Sequence, residues 1–139
     1  MAAWYQPFER RYKYRTTEEV TYETGWRLLD GQDVQTEMGY VHLSAEGLLT
    51  IQRGYAWDGA SGPTLDTPST MLASLVHDAL YQLLREGKLQ QRWRLSADRL
   101  LKRIMLKAYS GNWPKWHAAR VECWVWGLKH FAGYAARLG

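Results

Sequence analysis

The sequence predicts an α+β fold in which an N-terminal antiparallel β-sheet of hairpins is followed by three α-helices. Residues 1–53 contain short β-favouring segments separated by turn signals, whereas residues 69–136 carry apolar side chains at helical spacing. All predicted strands precede all predicted helices, an order typical of α+β rather than alternating α/β domains. The chain of 139 residues is short enough to predict a single domain, 1–139.

The sheet region, 1–53, is predicted from short segments rich in Tyr, Val, Thr and Leu. These segments are 12–15, 19–22, 26–29, 40–43 and 48–51. The third segment leads into Asp30-Gly31, a dipeptide typical of hairpin turns, and the fourth stops at residues 44–47. We therefore expect hairpins of a small antiparallel sheet.

Residues 54–68, with the sequence GYAWDGASGPTLDTP, show neither helical nor strand periodicity. Loops of this length inside a small domain are usually functional or disordered. The aromatic and carboxylate content argues against disorder. We therefore predict a motif loop over 54–68 that joins the sheet to the helices.

The helical region, 69–136, is predicted to contain three helices. The first begins with Ser69 or Thr70 as its N-cap and stops at Gly87. The second has Ser96 as its cap, and the third runs over 114–136, with a proline in its first turn.

The charge distribution is uneven along the chain. Residues 1–84 carry 6 Lys and Arg against 11 Asp and Glu, whereas residues 85–139 carry 12 against 3. A basic half attracts phosphates of nucleic acid or of lipid headgroups. We interpret these cations first as solvated helix faces, and nucleic-acid binding is the weaker alternative because no zinc-finger or RNA-binding motif is present.

Composition and termini indicate the compartment. No run of 18 apolar residues is present, so we expect no membrane-spanning helix, and the N-terminus lacks the pattern of a signal peptide. The single cysteine, Cys123, cannot form an internal disulfide. These features favour the cytoplasm of the cell that makes the protein.

The third predicted helix is rich in aromatic residues and interleaved with basic ones. Its aromatic residues are Trp113, Trp116, Trp124, Trp126, Phe131 and Tyr134. An aromatic stripe at helical spacing is more often core than anchor. The alternatives are a membrane-surface contact or a subunit contact in a homo-oligomer.

Three polar side chains interrupt the apolar run of the first predicted helix: His77, Asp78 and Tyr81. His77 and Tyr81 are four residues apart and therefore lie on one side of that helix, with Asp78 as their neighbour. In the second helix, Asp98 lies three residues before Leu101, on or beside the inward face. A carboxylate there needs a partner. We expect Asp98 to contact His77 and to fix its tautomer.

The motif loop adds Asp58 and Ser61, between glycines that allow close backbone approach. We expect the loop to fold back over the first helix and to bring Asp58 near His77 or Asp78. Three interpretations of the resulting cluster are open: a metal site, a hydrolytic site, or hydrogen bonds that only tie the loop to two helices.

In the metal site, Asp58, Asp78 and Asp98, helped by His77, would bind a divalent cation such as calcium, magnesium or zinc. In the hydrolytic site, His77 would be the general base and Asp98 would orient it. Ser61 is a candidate nucleophile there, although its surroundings lack the full G-x-S-x-G elbow.

Three motifs together resemble a family of uncharacterised bacteriophage and prophage proteins, domain of unknown function thirteen-fifty-three. The motifs are W-D-G-A-S-G-P at 57–63, H-D-A-L-Y at 77–81 and A-D at 97–98. The family pattern is D-x-x-S-x-P, H-D-x-L-Y and A-D, and it covers roughly residues 50–110. Gly59 and Gly62 stand where members often carry bulkier residues. The resemblance implies phage origin, hence a host bacterial cytoplasm or a virion, and no established activity.

The H-D-x-x-Y motif with a later Asp is also similar to the secreted phospholipases of the A-two type. This resemblance implies that His77 is the base, that Asp78 binds calcium, and that Tyr81 and Asp98 support the histidine. The glycine-rich calcium loop and the disulfides of that family are absent from the sequence.

The sequence therefore predicts a phage-encoded, metal-assisted hydrolase that acts on an ester or similar bond during infection or lysis. The alternative is a non-enzymatic structural, assembly or host-interaction protein in which the cluster is a structural lock. Its partner would then be a phage or host protein.

Overall fold

The computed structural model describes residues 4–7, 14–59 and 68–107. These residues form antiparallel sheets followed by two α-helices, so the α+β class is confirmed. The third predicted helix, over 114–136, lies outside the described residues. The chain divides into two compact units, Met1–Asp58 and Gly59–Gly139, and the boundary falls within the predicted motif loop. That the chain is a single domain stays a prediction.

The first sheet has three short antiparallel strands in the order β1-β2-β7. They are β1 Tyr5–Pro7, β2 Tyr14–Thr16 and β7 Ala56–Trp57. Strand β7 lies in the segment predicted to be loop alone, and that prediction is wrong here because two residues are too few to leave a periodic pattern. Trp57 is buried, and the ring of Trp4 stacks on it at 5.7 Å.

The second sheet has four antiparallel strands in the order β3-β6-β5-β4. They are β3 Val20–Glu23, β4 Val34–Gln35, β5 Val41–Leu43 and β6 Leu48–Ile51. The predicted hairpin between β5 and β6 is formed. Alternate residues of these two strands are fully buried and supply the apolar face of the sheet: Val41, Leu43, Leu49 and Ile51.

A buried threonine joins the two sheets. The Thr16 hydroxyl donates to the carbonyl oxygen of Gln52 at 3.0 Å and accepts from the backbone N–H of Tyr55 at 3.1 Å. The backbone N–H of Thr16 also donates to the carbonyl of Tyr55. These bonds satisfy a turn that would otherwise leave buried polar groups unpaired.

The hairpin predicted around Asp30-Gly31 is wrong. Residues 24–33 contain no strand, although burial alternates along 24–28 as in a strand. Thr24 and Leu28 donate backbone hydrogen bonds to Gly47 and Ala45, so this segment lies along a turn rather than along a strand. Residues 24–28 form no regular β-ladder because the segment beside them is the turn that joins β5 and β6.

Gly47 in that turn has a φ of +99°, a conformation that favours glycine. A Cβ atom at this position would lie 2.3 Å from the carbonyl oxygen of Trp26. The close approach of two backbone segments therefore leaves no room for a side chain.

The first helix, α1, spans Pro68–Arg85 and is buried over most of its surface from Thr70 onward. It begins at Pro68, so Ser69 and Thr70 lie inside the first turn, and the prediction that one of them is the N-cap is wrong. The predicted stop at Gly87 is confirmed. Gly87 has a φ of +71°, and Lys88 donates its backbone N–H to the carbonyl of Leu83, as in a Schellman motif.

The second helix, α2, spans Arg94–Lys107 and follows a single 3-10 turn, Gln91–Trp93. The prediction that Ser96 caps it is wrong because the 3-10 turn leads directly into the helix at Arg94. The apolar residues of α2 pack toward α1, and the short connection makes the two helices an αα-hairpin. Neither described helix is long and apolar enough to span a membrane.

Candidate functional site

The candidate site lies between the two helices of the second unit. Helix α1 presents His77 and Tyr81 on the same face because they are four residues apart. Helix α2 presents Asp98 among the apolar residues that pack against α1. The αα-hairpin therefore brings together three polar side chains that are separated by up to 21 residues in the sequence.

One oxygen of Asp98 accepts two hydrogen bonds. His77 Nε2 lies 2.8 Å from Oδ1 of Asp98, and the Tyr81 hydroxyl donates to the same oxygen at 2.7 Å. The His77 and Tyr81 rings lie 4.2 Å apart between centroids and are inclined by 31°. The predicted contact between His77 and Asp98 is confirmed. A carboxylate oxygen accepts hydrogen bonds, so Nε2 of His77 carries a proton and donates it to Asp98. Nδ1 is therefore the nitrogen that gains or loses a proton when the ring titrates.

All three side chains are buried. His77 is 4% exposed, Asp98 2% and Tyr81 3%. Water therefore contributes little to solvating the carboxylate, and the two hydrogen bonds supply most of its stabilisation. Loss of either donor would leave a buried charge poorly compensated.

The other nitrogen of the ring is near a second carboxylate. His77 Nδ1 lies 3.9 Å from Oδ1 of Asp78, too far for a hydrogen bond but close enough for a strong charge interaction. The Asp78 side chain is 40% exposed. The imidazole therefore has a buried carboxylate at Nε2 and a half-exposed one on the Nδ1 side.

These carboxylates outweigh the effect of burial on His77. Burial by itself lowers the pKa of a histidine, because it disfavours the charged ring. The interactions with Asp78 and Asp98 raise it, and the net result is that the pKa of His77 lies above its ordinary value of 6.5. The imidazolium form is stabilised between the two carboxylates.

The pKa of Tyr81 is also raised, first by burial and then by its hydrogen bond to Asp98. Tyr81 therefore remains a protonated hydrogen-bond donor throughout the neutral range. Arg94 opposes this shift through its charge and a side-chain interaction with Tyr81. Sequence reasoning missed Arg94, although its position four residues before Asp98 on one helix was a usable signal.

The second oxygen of Asp98, Oδ2, is buried and has no hydrogen-bond partner in the part of the chain that the structure describes. A carboxylate can accept about four hydrogen bonds. Asp98 thus has both of its described donors on one oxygen, and its other oxygen retains unused acceptor capacity.

The two residues from the motif loop are placed differently. Asp58 is exposed and is the last residue of the first unit, and Ser61 lies outside the described residues. That Asp58 and Ser61 join the His77 cluster stays a prediction. Within residues 4–7, 14–59 and 68–107, no three His, Cys, Asp or Glu side chains form a group that could hold a metal ion.

A second His–Asp pair, which sequence reasoning missed, lies in the first unit. His42 Nε2 is 3.4 Å from Oδ2 of Asp33, and Oδ1 of Asp33 accepts the backbone N–H of Ala45 at 2.8 Å. The pairing of β4 with β5 brings these residues together. Nothing near His42 in the sequence indicates this partner, because Asp33 lies nine residues earlier in the chain.

Comparison of the chain with protein-family models, with curated proteins and with solved structures finds no match. The chemistry that the site can perform therefore depends on the buried contacts among His77, Tyr81 and Asp98 and on the half-exposed carboxylate of Asp78.

Proposed function

We propose that the protein is a phage-encoded hydrolase of an ester or similar bond and that His77 is its general base. One observation carries the proposal: Asp98 holds Nε2 of His77, which leaves Nδ1 on the side of the half-exposed Asp78. A general base needs one nitrogen fixed by a partner and the other able to take a proton. The three resemblance motifs support phage origin and thus a host bacterial cytoplasm or a virion.

In the proposed reaction, water attacks the carbonyl carbon of the ester while Nδ1 of His77 takes one of its protons. The new C–O bond forms a tetrahedral intermediate, and the bond to the alcohol oxygen then breaks. The imidazolium returns the proton to that leaving oxygen, so His77 ends unchanged. Asp98 stabilises the imidazolium, and Tyr81 keeps the carboxylate in position.

A divalent cation, calcium, magnesium or zinc, is part of the proposal. Asp78 would supply a carboxylate oxygen to it, an appropriate ligand for calcium or magnesium. When bound, the cation would stabilise negative charge on the carbonyl oxygen. Asp58 remains the proposed second ligand, and Ser61 remains the proposed nucleophile of a covalent variant of the reaction.

The test is hydrolysis of chromogenic acyl esters and of phospholipid vesicles by the purified full chain, with calcium and with a chelator. We expect His77→Gln to lower the rate by about 10²–10⁴-fold, the usual contribution of a general base. Circular dichroism checks that the variant remains folded.

The matched control is His42→Gln, which removes the histidine of the other His–Asp pair. This variant should retain the wild-type rate. Equal rates for wild type and His77→Gln, or no hydrolysis of any ester by the wild type, would contradict the proposal.

The burial of His77 and Asp98 favours a second function. In this alternative the protein is a non-enzymatic structural, assembly or host-interaction protein, and the cluster locks α1 to α2. The 4% exposure of His77 supports this alternative because a base must be reached by its substrate. If this alternative holds, we expect the wild type to hydrolyse no ester and its stability to depend strongly on Asp98.

A further inference from the structure

The exposed face of α2 carries cations and no carboxylate. The helix contains five Lys and Arg residues and one acidic residue, Asp98. Asp98 is buried and its charge faces His77 and Tyr81. Arg99, Arg103 and Lys107 therefore have no acidic residue at four-residue spacing within α2 to balance their charge.

Three of these cations form a row. Arg99, Arg103 and Lys107 follow one another at four-residue steps, and all three are exposed. The row is about 12 Å long at the ~1.5 Å rise of an α-helix. Together with Lys102 and Leu106, these residues line an open depression on the helix surface.

We propose that this row binds the phosphate backbone of a duplex nucleic acid. A strand of duplex DNA carries one phosphate per ~3.4 Å of helix axis, so a row of about 12 Å is long enough to contact more than one phosphate of a strand. Arg side chains suit this role because the guanidinium fork matches the oxygens of a phosphate. Binding is to the backbone and is independent of base sequence.

Nucleic acid fits this face better than a lipid surface. Helices that lie in a membrane interface bury an apolar face in the lipid. The apolar face of α2, which includes Leu100, Leu101 and Ile104, is already buried. Among the described residues of the second unit, Leu95 is the one large hydrophobic side chain that is exposed. The row thus offers charge without an apolar anchor.

The experiment is fluorescence anisotropy of labelled duplex DNA and duplex RNA with the full chain, over a series of salt concentrations. The wild type should bind at low salt, and the logarithm of its affinity should fall linearly with the logarithm of salt concentration. In Arg99→Gln/Arg103→Gln we expect the slope to be smaller by about 2 and the affinity at low salt to fall by about tenfold or more. The DNA and RNA arms show which duplex provides the phosphates.

The matched control is Arg27→Gln/Arg53→Gln, which removes the same charge from exposed positions of the first unit. Equal loss in both double variants would overturn the proposal, because binding would then follow net charge alone. Absence of duplex binding at low salt would overturn it as well. Binding to vesicles of phosphatidylglycerol but not to duplexes would assign the face to a membrane instead.

Discussion

Two His–Asp pairs of this protein use the same residue types in opposite environments. His42 and Asp33 lie 3.4 Å apart with side chains 37% and 53% exposed, whereas His77 and Asp98 lie 2.8 Å apart and are 4% and 3% exposed. Water and salt screen the first pair, so its contribution to stability is small. The second pair lacks that screening. Burial, more than residue identity, therefore determines how much a His–Asp pair contributes to stability.

The largest difference between the pairs should appear when each carboxylate is removed. We expect Asp98→Ala to lower the free energy of unfolding by about 3–5 kcal/mol, because it leaves two buried donors without their acceptor. Asp33→Ala should cost about 0–1 kcal/mol. Urea unfolding followed by circular dichroism measures both.

If Asp98→Ala lowered the free energy of unfolding no more than Asp33→Ala, the buried pair would not hold α1 to α2. The non-enzymatic alternative would then lose its support. A large loss of stability in Asp98→Ala is compatible with both proposed functions, because the hydrolase also needs Asp98 to hold His77.

The contribution of Tyr81 tests whether the buried pair is in fact a triad. We expect Tyr81→Phe to cost about 1.5–3 kcal/mol, the usual contribution of a hydrogen bond to a charged group. The ring and its contact with His77 would remain. Tyr40→Phe, at a residue exposed in the sheet unit, serves as the control and should change stability by less than ~0.5 kcal/mol. Equal effects would mean that the Tyr81 hydroxyl contributes nothing specific.

The stability that His77 contributes should depend on pH. The folded protein binds the His77 proton more tightly than the unfolded chain, because the pKa is raised above 6.5. The stabilisation from His77 is therefore fully present below about pH 6.5 and is lost as the pH rises through the raised pKa. The measurement is the free energy of unfolding against pH for the wild type and for His77→Gln.

The difference between the two curves should shrink as the pH rises through that window. A difference that grows over the same window would mean that the pKa of His77 is lowered. The proposed hydrolysis needs the unprotonated ring, so its rate should rise where this stabilisation falls.

Much of the structure of α1 and α2 in the second unit could be predicted from the sequence, because the signals that mark a helix are local. The spacing of apolar residues predicted α1, and Gly87 marked its end. The contact of His77 with Asp98 followed from the cost of an unpaired carboxylate on an inward face. The predicted start of α2 was wrong by three residues because a 3-10 turn leads into the helix at Arg94, before Ser96.

The sheets of the first unit were harder to predict because their contacts join distant parts of the chain. Residues 24–28 alternate in burial like a strand, but their partner is a turn, and the sequence does not reveal which segment lies beside them. The His42–Asp33 pair and the two-residue strand β7 depend in the same way on strand pairing. Such pairing is set by tertiary contacts rather than by local preference.

The close approach at Gly47 has a consequence for any survey of tolerated substitutions. Every other amino acid would collide with the main chain at Trp26, so a mutational scan should show Gly47 as one of the most restricted positions of the first unit. That restriction would reflect the absence of space and nothing about chemistry. Intolerance to change at Gly47 should therefore not be taken as a sign of a binding surface.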